Sequence, residues 1–125
     1  MEIRNILTQY LNALEKGDLR EIVQLFAEDA VITSPLYGKV KAQQFYRDLL
    51  ADTAKSKITV LHTFTTKNKN VGAVHFLYEW VLQDGTLTSF ECVDVIRISD
   101  SGKIGELTII YDTHAVRESF EKMKA

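Results

Sequence analysis

FECVDVIRISDSGKIGELTIIYD, residues 90–112, decides how the rest of the chain is read. Strand side chains alternate between faces, so Phe90, Cys92, Asp94, Ile96 and Ile98 share one face. Glu91, Val93, Val95 and Arg97 share the other. SDSGK, with Gly102, has the length and composition of a hairpin loop, and a second alternating run follows over about 104–112. One letter resists this reading. Asp94 stands on an otherwise apolar face, where an unpaired charge is prohibitively costly, so its carboxyl must be paired, protonated or wet.

Working outward, the same alternation marks strands over about 57–67, 71–82 and 86–98, separated by KNKN and QDGT, with Asp84-Gly85 as a hairpin signal. Before Ser56 the period is helical. Ile3, Ile6, Leu7, Tyr10, Leu11 and Leu14 follow one helical face. Gly17 is a natural stop, and Asp18 with Glu21 three residues on is a box-like start. A second helix with Leu19, Ile22, Val23 and Phe26 is expected to reach about Ala27. AVITSP is a short strand ending at Pro35. Gly38 is read as turning the chain into a third helix, with Ala42, Phe45, Tyr46, Leu49 and Leu50 as its stripe. At the C-terminus, Val116, Phe120 and Met123 stand at helical spacing. Helices followed by an antiparallel meander make an α+β domain, expected as one unit over residues 1–125.

At 125 residues the chain is long enough for a real core, and its 46% hydrophobic and 26% charged content is that of a globular protein. A net charge of −2 argues against a nucleic-acid surface. No run has the length of a membrane-spanning helix. The single cysteine fits a reducing compartment, with cytoplasm the expected location. No HxH, HExxH or close His/carboxylate cluster suggests a metal, and no cofactor is expected. On the sheet's outward face, Val93 and Val95 leave an apolar patch of the kind that marks a subunit interface, so a homodimer through that face is expected.

The segment YLNALEKGDLREIVQLFAEDAVITSPLYG resembles the opening of the nuclear-transport-factor-2-like superfamily, closest to its ketosteroid isomerase and SnoaL-like polyketide cyclase branches. VDVIRISDSGKIGELTIIYD resembles the last two strands of the same group. The resemblance implies a cone-shaped fold in which a strongly bent antiparallel sheet wraps three N-terminal helices and encloses an internal cavity. It also implies dimers through the sheet face and a small hydrophobic ligand. In ketosteroid isomerases a tyrosine on the first helix and a protonated aspartic acid on a late strand donate to a substrate oxyanion; these positions fall on Tyr10 and Asp94. The isomerase base position falls on Ser34, whose hydroxyl is no base at neutral pH, so ordinary ketosteroid isomerisation is not expected.

A replacement base is sought in His62, which shares parity with Ile58, Val60 and Phe64, and in Asp112, because SnoaL-like cyclases use an acidic group near the cavity. If Tyr111 faces inward, Asp112 faces out unless a bulge re-aims it. His75 shares a face with Leu77 and Glu79, which places it outward. Phe26, Phe45, Phe90, Ile96, Ile109 and Tyr111 are expected as pocket wall and core, and Cys92 as a buried, inert thiol beside Asp94. Two readings stay open. One is an isomerase, cyclase or dehydratase acting on a hydrophobic carbonyl or hydroxyl compound; the other is a non-catalytic binding or dimeric interaction domain.

Overall fold

The computed structural model describes residues 2–125. Its elements are α1 (Ile3–Lys16), α2 (Leu19–Val23), β1 (Phe26–Ser34), β2 (Gly38–Lys41), α3 (Ala42–Ala51), β3 (Thr53–Thr65), β4 (Val71–Leu82), β5 (Leu87–Ile98), β6 (Ile104–Ile110) and α4 (Arg117–Lys124). The strands form one curled, unclosed sheet in the order β2-β1-β6-β5-β4-β3. From β3 to β6 every pairing is antiparallel, as the alternation predicts. The apolar stripe of α1, from Ile3 to Leu14, is buried, and Gly17 ends the helix in the left-handed region at φ 72°. Asp18 caps α2 by accepting the Glu21 N–H at 3.1 Å.

Four expectations are corrected. The second helix stops at Val23, not Ala27, and Phe26 already lies in β1. Tertiary pairing prevails over local periodicity here. The Leu25 carbonyl accepts the Ile104 N–H, Lys103 Nζ donates to the Gln24 carbonyl, and Phe26 pairs with Ile104. Gly38 opens a strand rather than a helix, since β2 turns back to pair antiparallel with β1. The sheet is mixed, because β1 runs parallel to β6. The last correction concerns β3, which begins at Thr53 and is bulged at Leu61, between the Val60–Phe76 and His62–His75 pairs. One extra residue reverses facing along the strand. Val60 therefore sits opposite inward-facing Phe76, while His62 sits opposite outward-facing His75.

The core lies between the helices and the inner sheet face. Its centre is aromatic: Tyr10, Phe26 and Tyr46 meet in edge-on and tilted pairs with centroids 5.3–6.1 Å apart. The start of α1 rests on β4 at Gly72, where an added Cβ would lie 2.8 Å from Ile3 Cδ1.

Candidate active site

The inner faces of β4 and β5, with α1 and α3, leave a narrow pocket. From β4 come Phe76, Tyr78 and Trp80; from β5 come Phe90, Cys92 and Asp94; α1 supplies Tyr10 and Leu14, and α3 supplies Phe45 and Leu49. Ser34, Tyr37, Ile109 and Tyr111 complete it. The slot is tight, with a cavity volume of about 40 Å³. Asp94 and Tyr10 lie at its most buried end, each 1% exposed, while Tyr37, Phe90, Ile109 and Tyr111 are partly open.

At the buried end, polar hydrogens converge on one carboxyl group. The Cys92 thiol donates to Asp94 Oδ1 at 3.2 Å, and the Tyr10 hydroxyl faces the same carboxyl closely enough to favour its charged form. Behind Tyr10, the Tyr46 hydroxyl stands 2.6 Å from the Tyr10 hydroxyl. Burial pushes Asp94 from 3.8 up to about 7, against the opposing pull of the Cys92 thiol and the Tyr10 hydroxyl. Burial likewise raises Tyr10, Tyr46 and Cys92 well above their ordinary values, with the Asp94 charge adding to each rise. The phenols and thiol therefore stay protonated at neutral pH and act as donors. Asp94 alone among the pocket residues is a carboxyl group, and its balance point lies in the range where a general acid or base works best.

The structure brings together Tyr10, Ser34, Phe45, Phe90, Cys92, Asp94, Ile109 and Tyr111. Ser34 Oγ accepts the Tyr37 N–H at 3.1 Å. Phe26 and Ile96 are buried in the core but do not line the pocket. Two expected base candidates lie elsewhere. Asp112 is exposed just past β6, where its carboxylate accepts the His114 N–H at 2.9 Å. His62 is on the outer sheet face, with Nδ1 3.1 Å from His75 Nδ1. The two ring planes are 9° apart, with centroids 5.4 Å apart. His75 Nε2 in turn lies 2.7 Å from Glu91 Oε1. Among the described residues, no group of three or more His, Cys, Asp and Glu is placed to hold a metal.

Sequence reading missed Tyr37, Tyr46, Phe76, Tyr78 and Trp80 as parts of the site, along with Leu14 and Leu49. The shared parity of Phe76, Tyr78 and Trp80 is a legible signal, because it puts all three on the face that Asp94 also occupies through the Val74–Asp94 pairing. Tyr46 stands on the apolar stripe of α3, but nothing local predicts its contact with Tyr10, 36 residues away in sequence. Tyr37 follows a proline in a turn and carries no periodic signal.

Fold and site together define a class: a curled α+β sheet closing on a narrow pocket with a raised aspartic acid at its end. The model of the SnoaL-like domain matches residues 7–107, and the chain belongs to that family within the nuclear-transport-factor-2-like superfamily. Solved structures agree on the fold. SalBIII, an epoxide hydrolase/cyclase-like enzyme in pyran ring formation in the polyether salinomycin, aligns with a TM-score of 0.76 at 20% identity, covering 90% of this chain and 92% of its own. TerC, co-crystallised with polyporic acid, gives a TM-score of 0.77 at 17% identity, covering 94% and 96%. A protein of ketosteroid isomerase-like fold from Catenulispora acidiphila, in complex with trimethylamine, gives 0.77 at 13% identity, covering 93% and 92%.

Proposed function

We propose that the pocket binds a flat, hydrophobic carbonyl or hydroxyl compound whose oxygen is held by Tyr10 and Asp94. The observation that carries this reading is Asp94 itself: a pocket carboxyl buried against aromatic walls and balanced near neutrality. Protonated, it donates beside Tyr10 to an oxygen that gains negative charge, and fixed donors of this kind contribute strongly to catalysis. Ionised, it accepts a proton. The reaction classes this supports are isomerisation, cyclisation and dehydration next to a carbonyl. SalBIII and TerC, by what they act on or were crystallised with, are in keeping with cyclic oxygenated ligands.

Ser34 favours a second reading, binding without turnover. Its hydroxyl accepts the Tyr37 N–H, and no carboxylate stands at that place. The buried, free thiol of Cys92 is in keeping with a reducing, cytoplasmic setting. The outer sheet face we assign to a second copy of the chain.

Titration with 2-naphthol, an oxyanion mimic, tests the binding reading. Wild type binds, and Tyr10→Phe and Asp94→Asn each lose about tenfold or more in affinity, as expected for hydrogen bonds involving an ionisable partner. Unchanged affinity in both folded variants overturns it. Deuterium uptake next to the carbonyl of a bound hydrophobic ketone, catalysed by wild type and lost in Asp94→Asn, then separates the enzyme from the binding module.

A further inference from the structure

We infer that α4 is a strap that sets the width of the pocket, with Tyr37 as the wall that moves when it releases. The inference rests on the pocket being a ligand site.

Most pocket walls stand on fixed elements. Phe45 is on α3, and Tyr78 and Trp80 are on β4, each held by the sheet or helix around it. Tyr37 and Tyr111 stand off them, and Tyr37 sits in the turn between β1 and β2. That turn is tied to α4 at three points. At the start of α4, Arg117 Nη2 donates to the Pro35 carbonyl at 3.1 Å. In its middle, the Phe120 ring packs edge-on against Tyr37 with centroids 5.3 Å apart. At its end, Lys124 Nζ donates to Asp52 Oδ1 at 2.7 Å, and Asp52 Oδ2 accepts the Tyr37 hydroxyl at 2.7 Å. Phe120 also stands 6.1 Å from Trp80, across the pocket wall.

The strap itself is weakly anchored. An isolated helix of eight residues is not stable in water, so α4 is ordered by what it touches. Only Phe120 is buried within it, with Val116 just before. Segments with few buried contacts open at low free-energy cost. The slot they close is far smaller than the several hundred cubic ångströms of an ordinary ligand site. A multi-ring ligand therefore needs one wall to yield, and Tyr37, held also by Ser34, Asp52 and the Phe45 ring, is the wall that α4 braces.

Lys124→Gln is the informative variant, because it breaks the latch outside the pocket and leaves Phe120 beside Trp80, the single tryptophan. Without ligand, the expected result is a red-shifted Trp80 emission and amide exchange over residues 117–124 faster by about tenfold. High salt moves wild type the same way, since the Lys124 side chain is half exposed. With ligand, oestradiol, a four-ring phenol, associates about tenfold faster with the variant, while phenol itself, a single ring, changes by less than about threefold. Phe120→Ala gives the same split. Unchanged emission and exchange in folded Lys124→Gln overturn the strap, as do equal effects on both phenols. If neither phenol binds any form, the binding reading fails, and the ligand-free emission and exchange still decide whether α4 moves the wall.

Discussion

Asp94 is the residue on which the chemistry turns. Its carboxyl is raised to about 7 by burial, so the folded protein holds its proton through a range where the unfolded chain releases it. The sign follows directly. This group's contribution to stability is complete below about pH 4 and falls as pH rises towards 7, on the order of 4 kcal/mol at most, then levels off. Asp94→Asn removes that slope, so urea denaturation between pH 4 and 8 shows wild type losing stability relative to the variant. Ser34 supplies a second prediction. It lines the pocket at 7% exposure, and its acceptor role towards the Tyr37 N–H is one an aspartate carboxylate also fills. Ser34→Asp is expected to introduce isomerase activity on a β,γ-unsaturated ketone. A folded variant without it shows that the position matches the isomerases in topology and not in chemistry.

Among the elements, what the sequence discloses depends on whether an element is governed by its own periodicity. Helix α1 and strands β4 to β6 are, and their faces and turns are legible from alternation, Gly17, Asp84-Gly85 and Gly102. Others answer to distant partners. The end of α2 is taken by the β6 hairpin through Leu25 and Gln24, and β2 exists because β1 offers it an edge. The bulge at Leu61 leaves no compositional trace, so His62, read by parity as inward, lies outward. The site divides along the same line. Tyr10 and Asp94 were legible by resemblance and by the oddity of a carboxylate on an apolar face. Tyr46 and Tyr37 reach the site only through tertiary contacts. Packing between elements gives a further test at Gly72, where a methyl group would meet Ile3 Cδ1 at 2.8 Å and the Phe64 carbonyl at 3.1 Å. Gly72→Ala is expected to cost about 1–3 kcal/mol, measured as a lowered midpoint of thermal or urea unfolding.

For the whole molecule, the outer sheet face is the broad surface that the helices leave uncovered. Rows of paired residues cross it: Ile110, Val93, His75 and His62 in one, and Thr108, Val95, Ala73 and Phe64 in the next. Phe64 and Ile110 are each about half exposed. The second copy assigned to this face predicts a dimer in sedimentation equilibrium at micromolar concentration, and Val95→Lys is expected to give a folded monomer. A wild-type monomer removes the assignment.

An unclosed sheet has two free rims, and here they are unequal. One is β2, only four residues long, which offers little for another chain to pair with. The other is β3, thirteen residues long and carrying exposed Val60, Leu61 and Phe64. A straight rim of that length and composition is a template for edge-to-edge aggregation. The extra residue at Leu61 breaks its regularity, and Lys55 and Lys57 add charge along the same strand. The irregularity that removes His62 from the pocket thus also helps keep the protein from polymerising through its longest open strand.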